Sequence, residues 1–261
     1  CANEQRHYQN LLHLEKLARE KNLPAITAAG VFPGFSTLLA ASLMERFAGI
    51  EAMDCCCVQL RHAYPNSGLA SMMGAILEAA ERPVTLTCGK LEPVVLGHSI
   101  KPFELPGPFG RQQLLEVPLI DTLTLHERFP LPEFHTWFYV GDMPTWLLDV
   151  VRLLQPQRRP WAYRLVESVM CRINDRETAH AIAAGMSPEC LIYVKAAARD
   201  GDRCASVAFL DGAVATACLP VHIVKAYLQG EMDKTGLLTP LDVVKMEDLD
   251  DIVEGAVVKA P

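Results

Sequence analysis

The sequence predicts an α/β fold, α+β in arrangement, built on a mixed sheet. Three observations lead there. Helical and strand periodicities interleave along the 261 residues rather than separating into blocks. The composition, 50% hydrophobic, is enough for one large core or two modest ones. The strand-like segments are also of two kinds: an uncharged run between Pro24 and Gly30, as in buried parallel strands, and later segments that alternate on hairpin arms.

Residues 3–21 carry Tyr8, Leu11, Leu12, Leu14, Leu17 and Ala18 at helical spacing, and Asn22 and Pro24 stop the helix. Residues 25–29 then read as a short buried strand. A Phe32-Pro33-Gly34 turn follows, and Ser36 is placed to cap a helix whose apolar positions are Leu38, Leu39, Leu43, Met44 and Phe47. Residues 51–60 predict a strand, 69–81 a helix, and 84–87 with 91–95 a hairpin turning at Cys88-Gly89-Lys90. The segment 101–110 holds three prolines and two glycines, which predicts a loop. Strands are expected at 113–119 and 134–140, and helices at 144–154 and 161–173. Residues 191–210 read as a hairpin turning at 199–202, residues 219–228 as a helix ending at Gly230. Thr239 and Pro240 then form a helix start, with Thr239 as cap and Pro240 in the first turn.

Composition removes several classes of function. The 24 Lys and Arg residues are scattered among 31 Asp and Glu for a net charge of −7, so no basic face is expected for nucleic acid. No uncharged apolar run is long enough for a membrane-spanning helix, and no secretory leader pattern opens the chain. Nine cysteines include no C-x-x-C pair. On a strand, Cys55 and Cys57 point to one face and Cys56 to the other, so they cannot converge on one ion and read as buried, reduced thiols. Reduced thiols point to the cytoplasm. The eight histidines show no zinc spacing, so no metal site is expected, and no G-x-S-x-G elbow is present.

Among groups able to do chemistry, Arg61, His62 and Tyr64 follow the Cys-rich strand, ahead of Pro65-Asn66-Ser67-Gly68. At a strand end, Arg61 can clamp a carboxylate, and His62 or Tyr64 can donate a proton. A solvated strand end accounts for them as well. Lys101, in the Pro-Gly segment, is a candidate substrate contact.

Landmarks recur in an order that resembles the saccharopine dehydrogenase-like oxidoreductases. They are Gly30…Pro33-Gly34 with Leu38-Leu39-Ala40, Ser67-Gly68-Leu69-Ala70-Ser71 opening a helix, and the Gly89-Lys90 turn. Pro108-Phe109-Gly110, Thr216-Ala217 and Leu238-Thr239-Pro240 complete the series. The resemblance implies that residues 1–40 are the tail of a Rossmann-type dinucleotide-binding domain. It makes 41–230 a mixed-sheet substrate and dimerisation domain, and 231–261 a segment returning to the first. It implies NAD or NADP as cofactor, with Gly30, Phe32, Pro33 and Gly34 facing it, and Phe35 and Ser36, with Arg61 and Lys101, facing a small-molecule substrate. It also implies a homodimer. The G-x-G-x-x-G turn of that family is not in this sequence, and the Gly30–Ser36 spacing does not replace it. The expectation is therefore the substrate-binding part of an enzyme, inactive by itself. The alternatives are a non-catalytic α/β interaction module, or a family member that reduces an enoyl or a carboxyspermidine-type imine bond.

Overall fold

The computed structural model describes residues 5–59, 83–94, 99–139 and 190–249, isolated positions between 150 and 172, and 257–259. The fold is mixed α/β. Helices α1 (Gln5–Leu11) and α2 (Leu14–Glu20) lead into β1 (Pro24–Ile26), and the turn at 30–34 leads into α3 (Phe35–Arg46). The strands β2 (Ile50–Gln59), β3 (Val84–Thr87), β4 (Lys90–Pro93), β5 (Ile100–Leu105) and β6 (Gly110–Glu116) precede α4 (Ile120–Arg128). After β7 (Glu133–Tyr139) come the long hairpin β8 (Cys190–Ala198) and β9 (Gly201–Phe209), then α5 (Gly212–Leu228). The described chain ends with β10 (Gly236–Leu238), α6 (Pro240–Val243) and β11 (Val257–Lys259).

The main sheet runs β11-β9-β8-β2-β7-β3-β4, with β5 and β6 joined through β7. Only β2 and β7 pair in parallel within it, Cys55 opposite Thr136 and Cys57 opposite Phe138, and the remaining ladders are antiparallel. A parallel pair needs a long crossover, and the β3–β6 and α4 segments supply it. Alternation along β2 divides its side chains between two cores. Cys55 and Cys57 pack with Phe35, Leu39, Phe134 and Leu219, whereas Cys56 and Val58 pack with Phe103, Leu114 and Trp137. The expected opposite facing of the three cysteines is thus observed. A separate parallel pair, β1 with β10, aligns Pro24 with Gly236 and Ile26 with Leu238. The Glu15 carboxylate ties α2 to it by accepting the Leu237 N–H.

Several elements differ from the sequence expectation. The helix of 3–21 breaks at Leu12–His13, where Leu12 and Glu15 donate back only three residues, to Gln9 and Leu12. The two halves serve different partners: Gln5 bonds Val84 and Leu119 carbonyls, while Glu15 holds β10. The strand at 25–29 is shorter and begins at Pro24. The 101–110 loop is instead β5, a tight turn and β6, because Pro102 sits in a strand whose described partner lies on one side, β6. Helix α4 has no counterpart in the sequence reading, which left 120–128 unassigned; Thr122 and Thr124 weaken its helical signal, and burial of Leu119, Ile120 and Leu125 decides for helix. Helix α5 begins seven residues before the expected 219, continuing through Pro220. A proline inside a helix costs about 3 kcal/mol, which burial of Ala215, Leu219 and Ile223 offsets. The Thr239-Pro240 start has a capping box, with Asp242 accepting from Thr239 N–H and Oγ1 at 2.8 and 2.9 Å.

Candidate active site

The turn before α3 is closed on itself. Gly30 N–H donates to the Pro33 carbonyl at 2.8 Å, Phe35 N–H to Gly30 at 3.0 Å and Ser36 N–H to Val31 at 3.1 Å. The Phe32-Pro33 peptide is cis. Gly34 stands at φ 133°, where a Cβ would lie 2.1 Å from the Gly30 oxygen and 2.6 Å from its nitrogen. Only glycine fits that position. Gly34 also occupies the N-cap of α3. Ser36, expected as the cap, is therefore inside the first turn, with its hydroxyl free to point elsewhere.

It points at Asp121. Ser36 Oγ donates to Asp121 Oδ1 at 2.5 Å and Thr37 Oγ1 donates to the same oxygen at 2.8 Å. Asp121 is fully buried, in the first turn of α4, so the first turns of two helices share one carboxyl group. Burial pushes this carboxyl above its ordinary range, and the two hydroxyl donors only partly counter that. Its second oxygen, Oδ2, and the neighbouring Thr122 Oγ1 are buried and have no hydrogen-bond partner among the described residues.

The turn lies over one end of the main sheet. Phe32 meets Phe138 edge-on at 5.6 Å between ring centres, and Phe35 meets Phe209 at 5.0 Å. The same end carries Gln59, paired with Cys190, and the start of α5. A Cβ on Gly212 would lie 3.2 Å from Gln59 Nε2 and 3.5 Å from Cys190 Cβ. This is the carboxyl end of the parallel pair β2 and β7, the end at which open α/β sheets bind ligands. Arg61, His62 and Tyr64, and the Ser67–Ser71 landmark, lie outside the described residues.

Lys101 is on the opposite face of the sheet. Its ammonium donates to Asp54 Oδ2 at 2.8 Å and lies 5.1 Å from the Phe103 ring centre and 5.4 Å from that of Trp137. Trp137 Nε1 donates to Asp54 Oδ1 at 2.7 Å. Gly30, Phe32, Pro33, Gly34, Phe35 and Ser36 are thus brought together in one buried turn, with Lys101 apart from them. Beside Lys101, His135 Nδ1 and Glu116 Oε1 are 2.7 Å apart. The Glu116 bond raises the His135 pKa against the effect of burial. For Glu116, burial is the largest influence and acts upward, but the His135 bond and charge, with Ser99 and Thr85, bring the net shift below the ordinary value.

Asp121, Thr37, Asp54 and the His135–Glu116 pair were missed in the sequence. A carboxyl next to Ile120 and Leu123 with no nearby basic residue was the available signal for Asp121, but it needs α4 to be recognised first. Among the described residues, no group of three or more His, Cys, Asp or Glu is placed to hold a metal ion. No described helix is long and apolar enough to cross a membrane.

The fit to a dinucleotide can be judged on the turn itself. The N–H groups of Phe35 and Ser36 are consumed by the turn's own carbonyls, and the space in front of Gly34 is filled by the backbone of Gly30 and Ala28. This turn therefore does not form a pyrophosphate cradle.

The architecture places the chain in a class, the mixed α/β folds. Within that class it is similar to apo saccharopine dehydrogenase (L-Glu forming) from Saccharomyces cerevisiae. The match has a TM-score of 0.52 at 15% identity and covers 94% of this chain and 77% of that one. At that identity the likeness is one of fold, a distant saccharopine dehydrogenase-like fold. No family model matches the chain, and no curated protein matches it by sequence.

Proposed function

We propose that this protein supplies the substrate-binding part of a nicotinamide-dependent oxidoreductase of the saccharopine dehydrogenase type. The reaction is hydride transfer to or from an amino-acid-derived C–N bond, with NAD or NADP as carrier. The observation that carries this reading is the fold likeness over nearly the whole chain, with the Gly30–Ser36 turn at the carboxyl ends of β2 and β7. In this reading Gly30, Phe32, Pro33 and Gly34 face the nicotinamide, and Phe35, Ser36 and Arg61 form the substrate side; Lys101, paired with Asp54 on the opposite face of the sheet, is not part of it. His62 or Tyr64 holds the proton that a C=N reduction delivers to nitrogen. Arg61 suits an amino-acid carboxylate because its guanidinium can bind both oxygens. No part of the reading routes the pyrophosphate through the described residues. A homodimer in the cytoplasm belongs to the same proposal.

Nicotinamide absorbance tests it with the nucleotide-binding portion joined to this chain, since the chain by itself is expected to be inactive, while the joined protein is offered an α-keto acid and an amino acid with NADH or NADPH, and the corresponding secondary amine with NAD or NADP. Turnover that falls at least tenfold in Arg61→Met with a raised KM supports the reading. Absence of turnover together with absence of nicotinamide binding by calorimetry removes it.

One observation favours a second reading, a non-catalytic α/β interaction module: the turn is buried and satisfied within itself. That reading expects no exchange with any nicotinamide and an unchanged fold on replacing His62 or Tyr64. An enoyl or carboxyspermidine-type reductase is the third, separated from the first by the substrate turned over.

A further inference from the structure

Two hairpins share one edge of β7, end to end. Leu86 of β3 pairs with Phe134, whereas residues 114–116 of β6 pair with 137–139. His135 lies at the changeover, where the sheet forks. The fork is fastened from both faces. From α1, which packs on the α4 side, the Gln5 amide donates to the carbonyls of Val84 at 2.7 Å and Leu119 at 3.0 Å. The same amide accepts the Val84 N–H at 2.8 Å. From the Cys56 side, His135 Nδ1 lies 2.7 Å from Glu116 Oε1 of β6 and 3.3 Å from Thr85 Oγ1 of β3. Glu116 is the hub of this second fastening: it is buried, and Ser99, Thr85 and His135 all hydrogen-bond its carboxylate. Of these three donors, His135 is the one that ionises.

We infer that the β5–β6 hairpin is a flap over Cys56 and Trp137, and that the His135–Glu116 pair is its proton-operated latch, fastened when His135 is charged and slack when it is neutral. A buried carboxylate is costly unless it is both bonded and paired with a cation. Neutral His135 can still donate to Glu116, but the counter-charge is gone. Relief then comes from water, and reaching water means moving β6. That strand is held to β7 by three residue pairs, and the flap's other charged tie, Lys101 to Asp54, is half exposed and weak. Val117 N–H stays bonded to the Thr136 carbonyl and Leu119 N–H to its hydroxyl, which places the hinge there. The apolar contacts of Phe103, Leu105 and Leu114 with Cys56 and Trp137 keep the flap down most of the time, so the latch sets how often it lifts. Among the described residues, Asp54 of β2 and Glu133 of β7 also bear on His135 and favour its charged form. Lys101 of β5 is engaged with Asp54, and Lys195 of β8 with Asp202. Thr85 and Trp137, beside the ring, are neutral. His135 therefore keeps its proton above 6.5, so the latch is complete below that value and slackens as pH climbs through the folded pKa. The Gln5 amide does not titrate, so β3 stays in place while the flap moves. Neither the fork nor the latch depends on the enzymatic reading.

Amide hydrogen exchange of the whole chain, followed by NMR in low urea and corrected for intrinsic rates, tests it on either side of the histidine range, at about pH 6 and about pH 8.5. The β6 amides of Leu114, Leu115 and Glu116 should exchange through an opening smaller than global unfolding, faster than those of Ile192 and Val207 in β8 and β9. Their protection should fall roughly three- to tenfold at the higher pH, the difference between a charge-assisted and a neutral hydrogen bond. His135→Gln and Glu116→Gln should each flatten that response, the first by removing the proton and the second by removing the buried charge. If either variant fails to fold, the other and the parent still decide. Amides of β6 that exchange only with the whole molecule at both pH values overturn the inference. So does a pH response of the same size in a folded His135→Gln or Glu116→Gln variant.

Discussion

The two faces of the main sheet handle polar groups in opposite ways. On the side of Cys55 and Cys57, Asp121 is sealed among helices and meets only neutral donors, the hydroxyls of Ser36 and Thr37. On the side of Cys56, Asp54 meets a lysine and Glu116 a histidine, and Asp54, Lys101 and His135 stay partly open to water while Glu116 is buried. A sealed carboxyl without a cation favours its neutral form, whereas paired ones favour the charged form. The same sheet thus separates a hydroxyl–carboxyl lock under the turn from a set of ion pairs on the hairpin side. The first fixes the shape of the candidate site. The second fastens strands together and answers to pH near neutrality.

The comparison can be broken at the turn first. Gly34→Ala is expected to cost at least about 4 kcal/mol by urea denaturation, since the new Cβ collides with backbone rather than with a side chain that can swing away. A cost under about 1 kcal/mol would mean that the turn is not closed on itself. Asp121→Ala comes next, at roughly 2–4 kcal/mol, because it strands two buried hydroxyls. Asp121→Asn sharpens the point. The folded carboxyl titrates above 3.8, so the folded chain holds its proton longer and stability declines as pH rises from that value. The asparagine variant should lose that decline and be no less stable than the parent at neutral pH; a large loss there would show that the charged form is required.

On the other face, His135→Gln should cost about 1 kcal/mol, and only in a window. His135 titrates above 6.5 when folded, so its contribution is complete below that value and fades as pH climbs through the folded pKa. Glu116 titrates below 4.5, so its share is present above that value and fades as pH falls. Denaturation at a series of pH values should show the widest gap between parent and variant from 4.5 to 6.5. Lys101→Met is the smallest, under about 1 kcal/mol and shrinking in salt, because the ion pair is half exposed and Trp137 still donates to Asp54.

Much of this frame could be read from residues. Cys55-Cys56-Cys57 alternate as a strand requires, the β8–β9 hairpin turns where Arg199-Asp200-Gly201-Asp202 asks it to, and Thr239-Pro240 starts a helix. These are local signals, complete within a few residues. Features that depend on distant partners were not legible. Helix α4 is helical because its apolar side is buried, not because Thr122 and Thr124 favour it, and without α4 the role of Asp121 is invisible. Pro102 and its neighbours read as loop until β6 is present to pair with β5. Ser36 looked like a cap because residue type alone cannot reveal that Gly34 takes that place. For the candidate site, the turn residues are locatable in sequence, while the carboxyl group behind them, 85 positions further on, is not.

Three adjacent thiols facing alternately up and down make a recorder of how this molecule comes apart. Burial holds Cys56 and Cys57 far above the range in which a thiol reacts, so alkylation waits for a layer to lift. Brief pulses of iodoacetamide along a urea ramp, read out by tandem mass spectrometry, would mark Cys56 when the hairpin peels and Cys55 or Cys57 when the helices leave. The order in which neighbouring sulfurs acquire their tags therefore gives the sequence of unfolding without any introduced cysteine.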